Sequence, residues 1–224
     1  MADFARYLPL SQRSGIDERG VTSDRRVPTA TVLRAIARAL RTAGEVAWVA
    51  RVDDDASTVA DAVADLVAGF DVSPARRALE SAQHALGMSG RAPAVDVPVE
   101  GIADAAAVLE ARAVTITDRP QPTRLVELDD AVVAAVRIGD ALGRPIAVPP
   151  LASGAVALRR ATAAPTPIRA VISGHSLHAT DAAWTIGHGP VLVGTADELI
   201  RFLAGYGDRA PRPARRGEFG GPAA

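Results

Sequence analysis

The 224-residue chain contains no cysteine, which removes disulfides, thiolate metal sites, iron–sulfur ligation and a thiol nucleophile together. Any metal would depend on His, Asp or Glu. Lysine is absent too: all 25 basic residues are Arg, set against 26 acidic ones, for a formal net charge of -1. Such a balance provides no field for a polyanion, so nucleic acid is not an expected partner. Without lysine the phosphate-binding loop loses its cation, and no G-x-x-x-x-G-K-[ST] segment exists. The excess of Arg and Ala is the bias of a GC-rich bacterial coding sequence and says nothing of function. Aromatic residues are 4%, so stacking platforms for bases are not expected and the core must come from Ala, Val, Leu and Ile. No run approaches the ~18 apolar residues of a membrane span. Met1 to Leu10, with Asp3 and Arg6, lacks the apolar segment of a secretion signal. The cytoplasm, without membrane attachment, is the expected location.

What is present is ample apolar material, 48% of residues, arranged first in helical and then in strand-like patterns. Residues 1–28 show no sustained period and read as an irregular lead-in. Thr31 to Ala43 places Val32, Ile36, Ala39 and Leu40 at helical spacing and stops at Gly44. Glu45 to Val52 reads as a short strand or an extended segment. A second helix, reaching Phe70, is announced by Asp53 to Asp55 and by a capping box of Thr58 and Asp61. Pro74 to Leu86 reads as a further helix with Pro at its first position; it carries His84, to which no role attaches. Ile102 to Ala111 is helical and Ala113 to Thr117 strand-like. Thr123 to Leu142 is the longest helix, apolar around most of its circumference and so central to a bundle.

After Pro145, Pro149 and Pro150 the texture changes. A helix from Gly154 to Thr162 is followed by β-rich runs at Ile168 to Ser173, Ala182 to Ile186 and Pro190 to Val193. Thr195 to Ala204 is a helix opened by the capping box Thr195/Glu198, and everything from Gly207 reads as a disordered tail. The fold class is therefore α+β: a mainly helical part over residues 1–150, a small α+β part over 151–206, and the tail over 207–224.

The segment IRAVISGHSLHATDAAWTIGHGPVLVGTADELIRFLAG, Ile168 to Gly205, resembles the sterol-carrier-like C-terminal domain of the mycothiol-dependent maleylpyruvate isomerase family. It has the strand, the Trp-bearing hairpin, the Gly-Pro turn and the G-T-A-x-E-L helix. The resemblance implies an N-terminal DinB-like four-helix bundle, in which a W-T-V-x-D-x-x-x-H helix and an E-x-x-x-H helix hold a divalent metal. Ser57 to Phe70 (STVADAVADLVAGF) is similar to the first motif, with Asp65 where the His stands. Asp130 to Gly143 (DAVVAAVRIGDALG) is similar to the second, with Asp130 for Glu, Ala134 for His, and Arg137 where the family has Asp. Both imidazoles are replaced, which removes the nitrogen donors such a metal needs.

A polar stripe survives on the longest helix: Glu127, Asp130, Ala134 and Arg137 share about a quarter of its circumference. Arg137 can supply, as a guanidinium, the positive charge a metal would otherwise bring to Asp130 and Asp65; equally, these charges can simply reach solvent. Asp65 lies opposite the stripe Val59, Val63, Leu66 and Phe70, which favours solvent, whereas the small Ala60, Ala64 and Ala68 would permit a second packed face. A separate cluster, His175, His178, Asp181 and His188, could be weighed as a metal site. However, its spacing flanks a turn and matches no H-E-x-x-H framework. No G-x-S-x-G is present, and Ser153, read as lying in a loop, gives no nucleophile elbow.

The resulting expectation is a degenerate, non-catalytic relative of the isomerase family that binds a protein partner or a small-molecule ligand, with no cofactor. The alternatives are a mycothiol-dependent isomerase or transferase with a divergent site, requiring mycothiol or a divalent metal, and a carrier of a small apolar molecule. The oligomeric state is left open.

Overall fold

A computed structural model describes residues 24–52, 57–71, 101–206 and 209–215. The expected helix Pro74 to Leu86, with His84, lies outside them, as do most of the lead-in and the end of the tail. Seven α-helices and a four-stranded sheet are found among the described residues: α1 (Arg26–Ala43), α2 (Val59–Asp71), α3 (Ile102–Asp118), α4 (Leu125–Ala141), α5 (Pro150–Thr162), α6 (Thr166–Ile172), β1 (Ser176–Ala179), β2 (Thr185–Gly187), β3 (Val191–Gly194), α7 (Ala196–Ala204) and β4 (Arg212–Pro213). The α+β class expected from sequence is what is found. No described helix is long and apolar enough to cross a membrane.

Helix α1 begins five residues before the expected Thr31, inside what reads as lead-in. Asp24 accepts from the backbone N–H of Arg26 at 2.9 Å, and Pro28 sits in the first turn, where its missing N–H costs nothing. The segment after Gly44 is a short 3₁₀ helix (Glu45–Val49), not a strand. This turn carries the Glu45 carboxylate to the N-terminus of α3, where Oε2 accepts from the Ile102 N–H at 3.2 Å. Helix α2 opens on the expected reciprocal cap: Thr58 N donates to Asp61 Oδ2 at 2.8 Å and Asp61 N donates to Thr58 Oγ1 at 3.2 Å.

The strand expected at Ala113 to Thr117 is instead the last part of α3. Helical spacing brings Leu109, Ala113 and Ile116 onto one fully buried face, and the Thr115 and Thr117 hydroxyls donate back to the carbonyls of Ala111 and Ala113. Burial against α1 outweighs the β propensity of the sequence Val-Thr-Ile-Thr. Likewise Ile168 to Ser173 is not a strand but most of α6, started by Pro167 in its first turn.

α1 to α4 form a bundle whose core includes Leu33, Ile36, Leu40, Leu109, Leu128 and Ile138, all fully buried. The second core, built from Leu177, Leu192, Leu199, Phe202 and Leu203, lies between α7 and the sheet. Two helices join the cores: α5 gives Ala152 and Val156 to the bundle and Ala157 to the layer, and α7 gives Ile200 to the bundle. Sheet order is β2-β1-β3-β4, with Leu177 opposite Ile186 in the antiparallel β1–β2 pair and opposite Leu192 in the parallel β1–β3 pair.

The segment 209–215 departs from the expected disordered tail. Arg212 and Pro213 pair with Val193 and Leu192, and Ala214 N donates to Val191 O at 2.9 Å, closing the edge of β3. At the other end of the sheet Gly189 has φ +101° and its α-carbon lies so close to the Gly174 carbonyl that a β-carbon would stand 2.1 Å from that oxygen. Glycine is therefore required for the β2–β3 turn to lie against the α6–β1 loop.

Candidate functional site

α4 is the element around which the site is built, because its apolar faces pack on both sides and leave one polar edge. Helical spacing carries Asp130, Ala134 and Arg137 along that edge. α2 packs alongside and brings Ala62, Asp65 and Leu66. The structure thus gathers three of the four polar residues expected from sequence, Asp65, Asp130 and Arg137, into one concavity of about 160 Å³, lined also by Val133, Arg160 and Tyr206. Asp65 is exposed at its mouth, while Asp130 and Arg137 are half-buried. The Tyr206 ring covers the Arg137 guanidinium, with 4.7 Å between Cζ and the ring centroid, a cation–π stack that fixes the plane of the cation.

Glu127, the fourth member of the stripe, does not line the pocket. It sits one turn nearer the N-terminus of α4, 9% exposed, with Arg119 Nη1 at 3.6 Å from Oε1 and Oε2 buried without a partner. Its role is at the junction of α3 and α4.

Sequence reasoning passed over Asp129, which the structure makes the most consequential acid of the helix. At 2% exposure it accepts from Arg160 Nε at 2.7 Å and Arg160 Nη2 at 2.9 Å, and from Arg159 Nη1 at 2.8 Å. The Arg160 contact is a bidentate fork, the strongest geometry for this pair. Both bonds leave from the Nε–Nη2 edge of the guanidinium. The available signal was an acid on a nearly all-apolar helix together with the dipeptide Arg159-Arg160 in the following one. The family-like motif instead drew attention one residue along, to Asp130.

The histidine cluster does not assemble. His175 Nδ1 lies 3.0 Å from the Ser173 carbonyl, His178 Nδ1 lies 2.7 Å from Thr185 Oγ1 across the hairpin, and Asp181 Oδ1 accepts from Ala196 N at 2.6 Å, at the start of α7. His188 is exposed on the β2–β3 turn. Among the described residues no three His, Asp or Glu side chains come together as a metal would require.

The pocket itself does not fit the divalent ion that the family resemblance implies. Its lining offers carboxylates but no imidazole, and it places the guanidiniums of Arg137 and Arg160 where a dication would have to sit beside like charge.

A second concavity of about 180 Å³ lies among α5, α6, β1 and β2, lined by Leu158, Ala161, Ile172, His175, Leu177 and Ile186. It is apolar, yet well below the ~300 Å³ at which ligand pockets usually begin, and so is too small to enclose a lipid. Ser153, expected in a loop, lies within α5 and accepts from Trp184 Nε1 at 3.0 Å. It anchors the hairpin to the helix.

Several ionisable groups outside the pocket are shifted, among them Asp197 and Glu110. Burial raises the Asp197 carboxyl above its ordinary value despite the ion pair with Arg201, and the charges of Asp140, Asp181 and Glu198 push the same way. The hydrogen bond from Arg41 holds Glu110 below its ordinary value, across α1 and α3. Comparison with family models, with curated proteins and with solved structures finds no match for this chain.

Proposed function

We propose that the protein is a binding protein, a degenerate relative of the mycothiol-dependent isomerase family, whose ligand occupies the pocket between α2 and α4. The observation that carries this reading is the convergence of Asp65, Asp130, Ala134 and Arg137 from the two motif-bearing helices on one concavity. The positions that hold imidazoles in the family are Asp65 and Ala134, and the positive charge there belongs to Arg137 and Arg160. The side chains at hand support a binding role: among the described residues the pocket sets two carboxylates and two guanidiniums around a phenol ring, groups suited to charge-assisted contacts with a polar ligand. The volume, about 160 Å³, supports a small-molecule ligand over a protein side chain cluster.

Equilibrium dialysis against an extract of small polar metabolites, read by mass spectrometry, tests the reading. The wild-type chain is expected to retain at least one compound that the Arg137→Met and Arg160→Met variants do not. Retention of nothing, or equal retention by all three proteins, would refute a binding role for this pocket.

A further inference from the structure

We infer that a second copy of this chain pairs with β2, joining the two four-stranded sheets edge to edge across a two-fold axis at Ile186. The two edges of the sheet are built differently. The β3 edge is covered by β4, whose Pro213 has no N–H to give a further strand and whose Arg212 brings charge, both devices that keep a sheet edge from recruiting another chain. β2 is the outermost strand on the other side, and Thr185 and Gly187 are exposed there. Ala182 to Gly189 contains no Arg, Asp, Glu or Pro, so this edge carries none of those protections.

Backbone geometry decides which groups the edge presents. Ala179 N donates to Trp184 O at 3.2 Å, and Leu177 stands opposite Ile186, so the Trp184 carbonyl and both backbone groups of Ile186 turn toward β1. A trans peptide sets its N–H and C=O on opposite sides. The Thr185 N–H, the Thr185 C=O and the Gly187 N–H therefore point outward. With the axis at Ile186, each Gly187 N–H meets the Thr185 C=O of the second copy, and one sequence makes two equivalent hydrogen bonds. Such self-complementarity is what an isologous contact demands. Charge agrees with it: a two-fold axis sets like beside like, and this edge has no Arg, Asp or Glu to repel its copy.

An axis normal to the sheet keeps the same face of each copy on the same side. Leu177 and Ile186 share the face that carries the concavity of about 180 Å³, with Leu158, Ala161 and Ile172. Pairing sets the two Ile186 side chains opposite each other at a non-hydrogen-bonded position, where strand Cα atoms lie about 4.5 Å apart. It also brings the two concavities together as one apolar trough. Leu158 is 53% exposed on its wall, and Leu151, two turns earlier on the same face of α5, is 87% exposed. Covering these side chains supplies the apolar contact that a three-residue strand lacks by itself.

The experiment is sedimentation equilibrium of the full chain from about 1 to about 200 µM, a range that reads the micromolar Kd expected of a contact at the small end of interface sizes. The wild type is expected to pass from one chain to two across it. Leu158→Arg, at an exposed position where folding is not at stake, sets two cations beside the axis and should weaken the dimer at least about tenfold with an unchanged denaturation midpoint. Because the chain has no cysteine, Ile186→Cys puts its single thiol at the axis, within disulfide reach of its counterpart, and mild oxidation should yield a covalent dimer. Val114→Cys, exposed on α3, should not cross-link under the same conditions. A wild type that stays monomeric throughout would overturn the inference. So would a dimer that Leu158→Arg leaves intact and Ile186→Cys fails to cross-link, since the contact would then lie elsewhere.

Discussion

Polar groups are used in opposite ways on the two sides of the molecule. On the bundle face, Asp65, Asp130 and Arg137 turn into one concavity, and the buried Asp129 holds Arg160 beside them. In the β1–β2 hairpin and the turn after it, Asp181 and His178 bind the structure around them: one caps α7 and the other bridges to Thr185 on the neighbouring strand. The difference follows from geometry. Residues three, four and seven apart on a helix share an edge, so a polar stripe converges. Successive residues of a strand alternate faces, and a turn between them spreads a cluster of equal size apart. A group of ionisable residues on adjoining helices is therefore better evidence of a site than the same group about a hairpin.

The largest effect that would sharpen this contrast concerns the wall shared by both sides. Leu203→Ala, in the core between α7 and the sheet, should cost ~2–5 kcal/mol as a buried leucine truncation. Because α7 also buries Ile200 in the bundle, chemical denaturation should remain one transition. Two separated transitions would show that the halves are independent. Next in size, Asp129→Ala should cost about 2–3 kcal/mol, somewhat below a fully buried pair because the guanidiniums of Arg159 and Arg160 still reach solvent. A change within ~0.5 kcal/mol would place Asp129 among ordinary surface acids. On the hairpin side, Thr195→Ala removes half of the capping box with Glu198 and should cost ~1 kcal/mol, read from the denaturation midpoint.

The smallest expected effect is a pH dependence from Asp197. Its folded-state pKa is raised by burial, so its contribution to stability is fully present below the unfolded value of 3.8 and is lost as pH rises through the folded one. Asp197→Asn should therefore gain on the wild type as pH rises above 3.8, in paired denaturation curves at several pH values. A difference that is flat with pH would contradict the burial argument.

The long amphipathic elements were legible because their signal is repeated many times: α1, α2 and α4 were visible from spacing, and α2 and α7 from their caps. Short elements were misread where local propensity and packing disagree. The end of α3 carries β-branched residues but completes a buried helical face with Ala113 and Ile116. β1, Ser-Leu-His-Ala, has no β-branched residue and owes its state to pairing on both edges. β4 has only Arg and Pro and owes its state to pairing with β3 alone. In the site, helical arithmetic found Asp130 and Arg137, since one edge of one helix is set by sequence. Arg160 and Tyr206 come from other elements whose placement depends on the tertiary fold, and no spacing rule reaches them.

The central claim is that guanidinium charge stands in this pocket where the resembled family would hold a metal. Elemental analysis of the full chain purified without chelators tests it most directly. The account predicts divalent metal far below one equivalent per chain, unchanged in Arg137→Met. One equivalent of zinc or another divalent ion, lost when Asp130 is replaced by Ala, would contradict it.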